Sequence, residues 1–166
     1  MIRLPPALLS VITGAAEAAY PEECCGLLVG SSASDGWLEV TRVVESPNRA
    51  GAFDGKTDVE ADVGGGEIPV NIRRRRFEID PLIRLSLMRE TENTDQTIIG
   101  FYHSHPDHPA QPSAQDIASI WEPDLVWLIV SVDAGKVVET AAFQPSIEGG
   151  NREFMPLELV TSLPSA

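Results

Sequence analysis

All three histidines of this chain fall inside residues 103–108, and the stretch around them dictates much of what the chain can become. It reads His103-Ser104-His105-Pro106-Asp107-His108-Pro109-Ala110-Gln111-Pro112-Ser113-Ala114-Gln115-Asp116. The apolar run Thr97 to Tyr102 leads straight into it and predicts a strand. Side chains alternate along a strand, so His103 and His105 share one face and can reach one cation. Pro106 cannot extend a central ladder, so the strand is expected to stop there. A helix is expected over residues 113–121, and Asp116 in its first turn is placed to add a carboxylate. Two imidazoles and one carboxylate leave a fourth position open, which is the donor set of a catalytic zinc site. Water bound there loses a proton near neutral pH and becomes a nucleophile.

The rest of the chain fits one α/β domain over residues 1–166. That length supports a core without disulfides. Leu8, Val11, Ile12, Ala15, Ala16 and Ala19 recur at helical spacing, so residues 6–19 read as a helix begun by Pro5-Pro6. Residues 24–29 read as a buried strand, Gly30 to Gly36 as a turn, and Trp37 to Val44 as its hairpin partner. Residues 46–71 are rich in glycine, proline and acids and read as a long loop. Phe77-Glu78-Ile79 reads as a strand. Asp80-Pro81 reads as a helix start, with a helix to about Glu92 whose Leu82, Leu85 and Met88 face inward. Leu125 to Val132 is a central strand and Lys136 to Phe143 its antiparallel neighbour. Residues 145–152 are loop, and Phe154 to Val160 adds an edge strand.

Each motif also has a plainer reading. Ser113 can be a helix N-cap, with Asp116 favouring the positive helix end. His108 reads as a surface loop residue. Cys25 can be a thiol nucleophile, but its apolar run favours a buried structural role. Arg73 to Arg76 form either a solvated edge or a grip for an acidic protein or peptide carboxylate.

The whole pattern resembles the JAMM metallopeptidases, also called the MPN-plus family. Their signature is His-Ser-His, seven residues, Ser, two residues, Asp. Bacterial members carry an upstream Pro-x-Glu-x-Cys-Gly before an apolar run and a glycine. Pro21-Glu22-Glu23-Cys24-Cys25-Gly26-Leu27-Leu28-Val29-Gly30 matches it and selects Glu23 over its neighbour Glu22. The resemblance runs from the first helix to the strand at 125–132. It implies a cytidine-deaminase-like (MPN) fold, a mixed sheet with antiparallel hairpins flanked by helices. It implies one Zn2+ per chain on His103, His105 and Asp116, with Glu23 as proton carrier and Ser113 stabilising an oxyanion. The expected activity is hydrolysis of an amide at the C-terminal Gly-Gly tail of a ubiquitin-like or sulfur-carrier protein. The insertions with which eukaryotic members grip ubiquitin are not identifiable here. The alternative is a metal-free MPN-type scaffold module.

Two other metal chemistries compete for the same residues. His103-x-His105-x-Asp107-His108 also fits metallo-β-lactamase-like hydrolases, but their further downstream histidines are missing. A zinc deaminase needs a Pro-Cys-x-x-Cys pair, also missing. The formal net charge of −13 disfavours nucleic acid as a partner. No uninterrupted apolar stretch suits a membrane span. A signal peptide over Met1 to Tyr20 would put its cleavage beside the Pro21-Glu22-Glu23 stretch. The adjacent Cys24 and Cys25 are unsuited to a mutual disulfide and suggest a reducing, cytoplasmic setting.

Overall fold

A computed structural model describes residues 1–51 and 72–162. Its elements in chain order are β1 (Ile2–Arg3), α1 (Pro6–Ala19), β2 (Cys25–Ser32), β3 (Leu38–Ser46), a short 3-10 turn (Ile72–Arg74) and α2 (Pro81–Thr91). They continue with β4 (Thr97–Pro106), α3 (Ala114–Ala118), β5 (Val126–Asp133), β6 (Lys136–Glu148), β7 (Asn151–Leu157) and β8 (Leu159–Val160). The strands form one sheet in the order β7-β6-β5-β4-β2-β3-β1-β8. It is mixed, as the sequence implied. β4 and β5 run parallel, joined across α3, whereas β2–β3, β2–β4, β5–β6 and β6–β7 are antiparallel.

Both sheet faces are covered. α1 packs Ile12 and Ala16 against Leu28, Tyr102, Leu128 and Val130 on one face. α2 packs Ile83 and Leu87 against Leu27, Phe101 and Trp127 on the other. Alternation along β4 therefore puts Tyr102 and Ser104 on the α1 face, and Phe101, His103 and His105 on the α2 face. All of these but Phe101 and His105 are fully buried. Such burial removes apolar area worth about 25 cal/mol per Å2 and fixes the register of β4, hence the direction of its imidazoles.

Gly26 illustrates how tight the start of β2 is. A Cβ there would meet the Tyr102 ring and the Val44 carbonyl oxygen of the neighbouring strand. Paired backbone cannot yield, so Gly26→Ala is expected to destabilise the fold by about 3 kcal/mol. The shift in urea midpoint measures this; an unchanged midpoint refutes the close approach.

Four expectations need correction. Phe77-Glu78-Ile79 is not a strand but an unladdered segment. Its polar backbone is met locally: the Asn48 side chain donates to Arg76 O (2.8 Å) and accepts from Glu78 N (3.1 Å), and Arg49 N donates to Glu78 O (2.9 Å). On α2, Leu82, Leu85 and Met88 face solvent at 73, 43 and 54 % exposure, and Leu87 is buried instead. Asp80 caps this helix through Leu82 N, and Arg84 ties it to Glu122. These anchors turn the Ile83–Leu87 stripe inward. Residues 145–152 are not a loop, because β6 runs to Glu148 and turns through Gly149-Gly150, both at positive φ, into β7. Pro145 is tolerated because the β5 ladder has already ended at Phe143. The helix expected over 113–121 is only Ala114–Ala118, with Ser113 as its N-cap. The pairing of β1 went unread in the sequence, since two residues show no periodicity. Of the expected loop at 46–71, residues 52–71 lie outside the described residues.

Candidate metal centre

The end of β4 and the start of α3 bring His103, His105 and Asp116 together, all buried. His103 Nε2 lies 3.0 Å from His105 Nε2. His105 Nε2 lies 3.1 Å from one Asp116 carboxylate oxygen, and His103 Nε2 lies 3.2 Å from the other. Taking one donor atom from each residue, all three sit within 4.8 Å of one another.

Asp116 arrives there because Ser113 starts α3 with a reciprocal capping box. Ser113 Oγ accepts from Asp116 N (3.1 Å), and the Asp116 carboxylate accepts from Ser113 N (2.7 Å). The Ser113 hydroxyl also lies 2.9 Å from Asp116 Oδ2. The capping reading of Ser113 and Asp116 is therefore correct, and it coexists with the cluster.

The imidazoles are held from outside. Phe77 stacks on His103, with centroids 4.3 Å apart and planes at 18°, and Trp127 meets it edge-on at 5.6 Å. His105 Nδ1 lies 2.9 Å from the Pro109 carbonyl oxygen. A carbonyl only accepts, so Nδ1 carries a proton and Nε2 is the nitrogen turned toward His103 and Asp116. Sequence reasoning missed Phe77, Trp127 and Pro109. The two aromatics looked like strand residues, and a backbone carbonyl leaves no sequence signal.

Electrostatics agree with a cation-seeking cluster. Burial works to raise the Asp116 carboxyl, but the two facing imidazoles hold it far below the usual carboxylate range. Burial lowers His103 against the pull of Asp116. For His105 burial also lowers, but the Asp116 and Pro109 bonds outweigh it and the ring is raised.

Glu23 is 6 % exposed and sits within electrostatic reach of His105 and Asp116. Burial, with Asp116 adding and His105 opposing, pushes its carboxyl up to about 8. Its backbone is pinned: Glu23 N donates to Arg73 O (2.7 Å), and Asn48 Nδ2 donates to Glu23 O (3.1 Å). Glu22 is only partly buried.

The remaining candidates lie elsewhere. The Asp107 carboxylate accepts from Tyr20 OH and Ala134 N, and His108 is exposed outside the cluster, so the metallo-β-lactamase-like pattern does not assemble. Cys24 and Cys25 are free and buried, and burial pushes their thiols up to about 11 and about 12. Such thiols do not act as nucleophiles near neutral pH.

Beside Asp116 opens a cleft of about 340 Å3. Arg75 to Ile79, Arg84, Phe101, Gln115, Ser119, Trp121 and Trp127 are among its lining residues. Among the described residues, no helix is long and apolar enough to cross a membrane.

A mixed sheet flanked by helices gathers two imidazoles and a carboxylate where a strand ends, and so defines an α/β domain with a candidate metal site. The family model described as prokaryotic homologs of the JAB domain matches residues 5–144, and the chain belongs to that family. It is similar to a desampylase of Haloferax volcanii, 38 % identical over 60 residues covering 36 % of this chain and 43 % of that protein. It is also similar to a CysO-cysteine peptidase of Mycobacterium tuberculosis, 26 % identical over 127 residues covering 75 % of this chain and 68 % of that one. The chain spans less than half the length of the desampylases it matches. Among solved structures it resembles a protein from Desulfitobacterium hafniense, with TM-score 0.66, 27 % identity and coverage of 99 % of this chain and 96 % of that one. A Salinibacter ruber protein gives TM-score 0.63 and 28 % identity, covering 100 % and 94 %.

Proposed function

We propose that this chain is a zinc-dependent metallopeptidase or isopeptidase that hydrolyses an amide at the C-terminal Gly-Gly tail of a ubiquitin-like or sulfur-carrier protein. The observation that carries the reading is the meeting of His103, His105 and Asp116, the last of which lines the cleft, with Glu23 buried within electrostatic reach of His105 and Asp116. Relatives named desampylase and CysO-cysteine peptidase support the substrate class.

The donor set fits a cation. A tetrahedral ion with bonds of about 2.0–2.1 Å needs ligand separations near ~3.3 Å, close to the 3.0–3.2 Å found between these groups. Two buried ring nitrogens 3.0 Å apart, both facing one carboxylate, are the donor atoms that a cation between them would satisfy. His103, His105 and Asp116 would hold one Zn2+, which would supply Lewis acidity toward water and a carbonyl.

The chain's own groups do the rest. Glu23 takes a proton from the attacking water and delivers it to the departing amine. A carboxyl poised near neutrality suits both transfers. The exposed Ser113 hydroxyl, which donates to Asp116 Oδ2 at 2.9 Å in the free chain, turns its proton to the oxyanion that forms at the scissile carbonyl. Arg76 and Glu78 turn backbone groups toward Asn48 and Arg49. Phe77 and Ile79 alternate with them and line the cleft, so an extended tail can add there as a strand. Glycines suit such a tail because a side chain would crowd the walls. Arg75 and Arg76 line the same cleft, which favours an acidic feature on the substrate. One sheet running from β1 to β8 supports a single working unit. Free Cys24 and Cys25 support a cytoplasmic setting.

The test uses purified protein and a carrier fused through its Gly-Gly tail to a reporter. Mass spectrometry should find cleavage after the second glycine, lost on chelation and restored by zinc. Protein that contains no metal at neutral pH, ignores added zinc and still binds the carrier would instead make it a scaffold module.

A further inference from the structure

Ser131 lies beside His105 in the parallel ladder of β5 and β4, so the two side chains share a face. It is 5 % exposed. Its hydroxyl turns away from the cluster and donates to the His108 carbonyl oxygen at 2.6 Å. The next carbonyl along the chain, that of Pro109, accepts from His105 Nδ1. It also accepts from Gln111 N at 2.8 Å. Residues 107–112 have no helix or strand of their own, so beyond the Gln111 N–H this carbonyl depends on contacts from neighbouring elements. The near end is held by Asp107, whose N–H donates to Val132 O and whose carboxylate accepts from Ala134 N and Tyr20 OH. The far end is held by Ala110, buried against Ile129 and Phe143. Between them, and apart from the bond of His105 itself, the Ser131 hydroxyl makes the side-chain bond to the loop nearest the Pro109 carbonyl.

We propose that Ser131 is a positioning residue for the metal centre: by clamping the His108 carbonyl it sets the Pro109 carbonyl against His105 Nδ1 and so holds the tautomer that presents Nε2 to a divalent cation. The inference rests on the metal-site reading above and adds to it a residue from the neighbouring strand. An imidazole ligand whose second nitrogen is anchored keeps both its orientation and its basicity, and loss of such an anchor typically costs 10–100-fold in metal affinity. Ser131 acts one bond further out, so the lower end of that range applies.

The experiment compares wild type, Ser131→Ala and Ser131→Thr in the metal-free and zinc-titrated states. Nitrogen–proton NMR of the His105 ring, at a pH alkaline enough to keep it neutral, reads the tautomer without any metal. Wild type should show one species protonated at Nδ1. Ser131→Ala should show a mixture and bind zinc about tenfold more weakly in a chelator competition. Ser131→Thr, which keeps the hydroxyl, should restore both. Ser131→Cys, close in volume but a weak donor, should behave like alanine and serves if Ser131→Ala does not fold. A single Nδ1-protonated species in the alanine or cysteine variant overturns the proposal whatever the zinc affinity. Failure of wild type to bind any divalent ion would overturn the metal-site reading instead, and the tautomer measurement would still decide the role of Ser131.

Discussion

Replacing Glu23 with glutamine should lower kcat by about 10²–10⁴-fold while leaving the zinc content unchanged. Glutamine keeps the size and buried position of the side chain but cannot accept and return a proton. Glu23 is not among the grouped ligand residues, so metal retention separates a proton-transfer role from ligation. Turnover within a few-fold of wild type would remove Glu23 from the mechanism. The same variant has a second, metal-free signature. Burial first, then Asp116, raises the Glu23 carboxyl to about 8 in the folded chain against the opposing pull of His105. The folded state then holds the proton more tightly than the unfolded state. Its contribution to stability is complete below the ordinary carboxylate value and is lost as pH rises through about 8. Metal-free wild type should lose on the order of 3–5 kcal/mol between pH 5 and 9 from this group alone, and Glu23→Gln should not. Urea unfolding of both proteins across that range is the check. Identical pH profiles would mean that Glu23 is not desolvated. With a divalent charge beside it Glu23 ionises more readily, so added zinc should flatten the wild-type slope.

Asp116→Asn should weaken zinc binding by at least about 100-fold, with a fold loss of no more than about 1 kcal/mol. The amide oxygen still accepts the Ser113 N–H, so the capping box largely survives. What disappears is the negative charge that faces both imidazoles. Asp116→Ala removes the charge and the cap together and should cost roughly 1 kcal/mol more in unfolding free energy. A chelator competition paired with thermal melts separates the two losses. Wild-type zinc affinity in the asparagine variant would sink the three-ligand assignment.

Most of the sheet could be read directly, because strands such as Cys25–Ser32 and Val126–Asp133 carry long apolar runs. The cluster was legible too. The period of two places His103 and His105 on one face, and Ser113-x-x-Asp116 announces the helix that returns the carboxylate. Illegible features share a cause, which is that they depend on tertiary anchors. The face of α2 is set by Asp80, Arg49 and the Arg84–Glu122 pair, so Leu82 and Met88 look like core residues until those partners are placed. Phe77 stacks on His103 only because the amide of Asn48 replaces a strand ladder. The β6–β7 hairpin was hidden by Pro145 and two glycines, which resemble loop chemistry until the neighbouring ladder is seen to end first.

The double engagement of Asp116 has an evolutionary implication. On the proposed reading, a lineage that exchanges His103 or His105 gives up cation capture but leaves the helix start intact. One that exchanges Asp116 for an apolar residue loses, on the proposed reading, a ligand and the helix cap in a single event. Descendants retired from hydrolysis should therefore have lost their imidazoles first, with the aspartate persisting as a relic of folding.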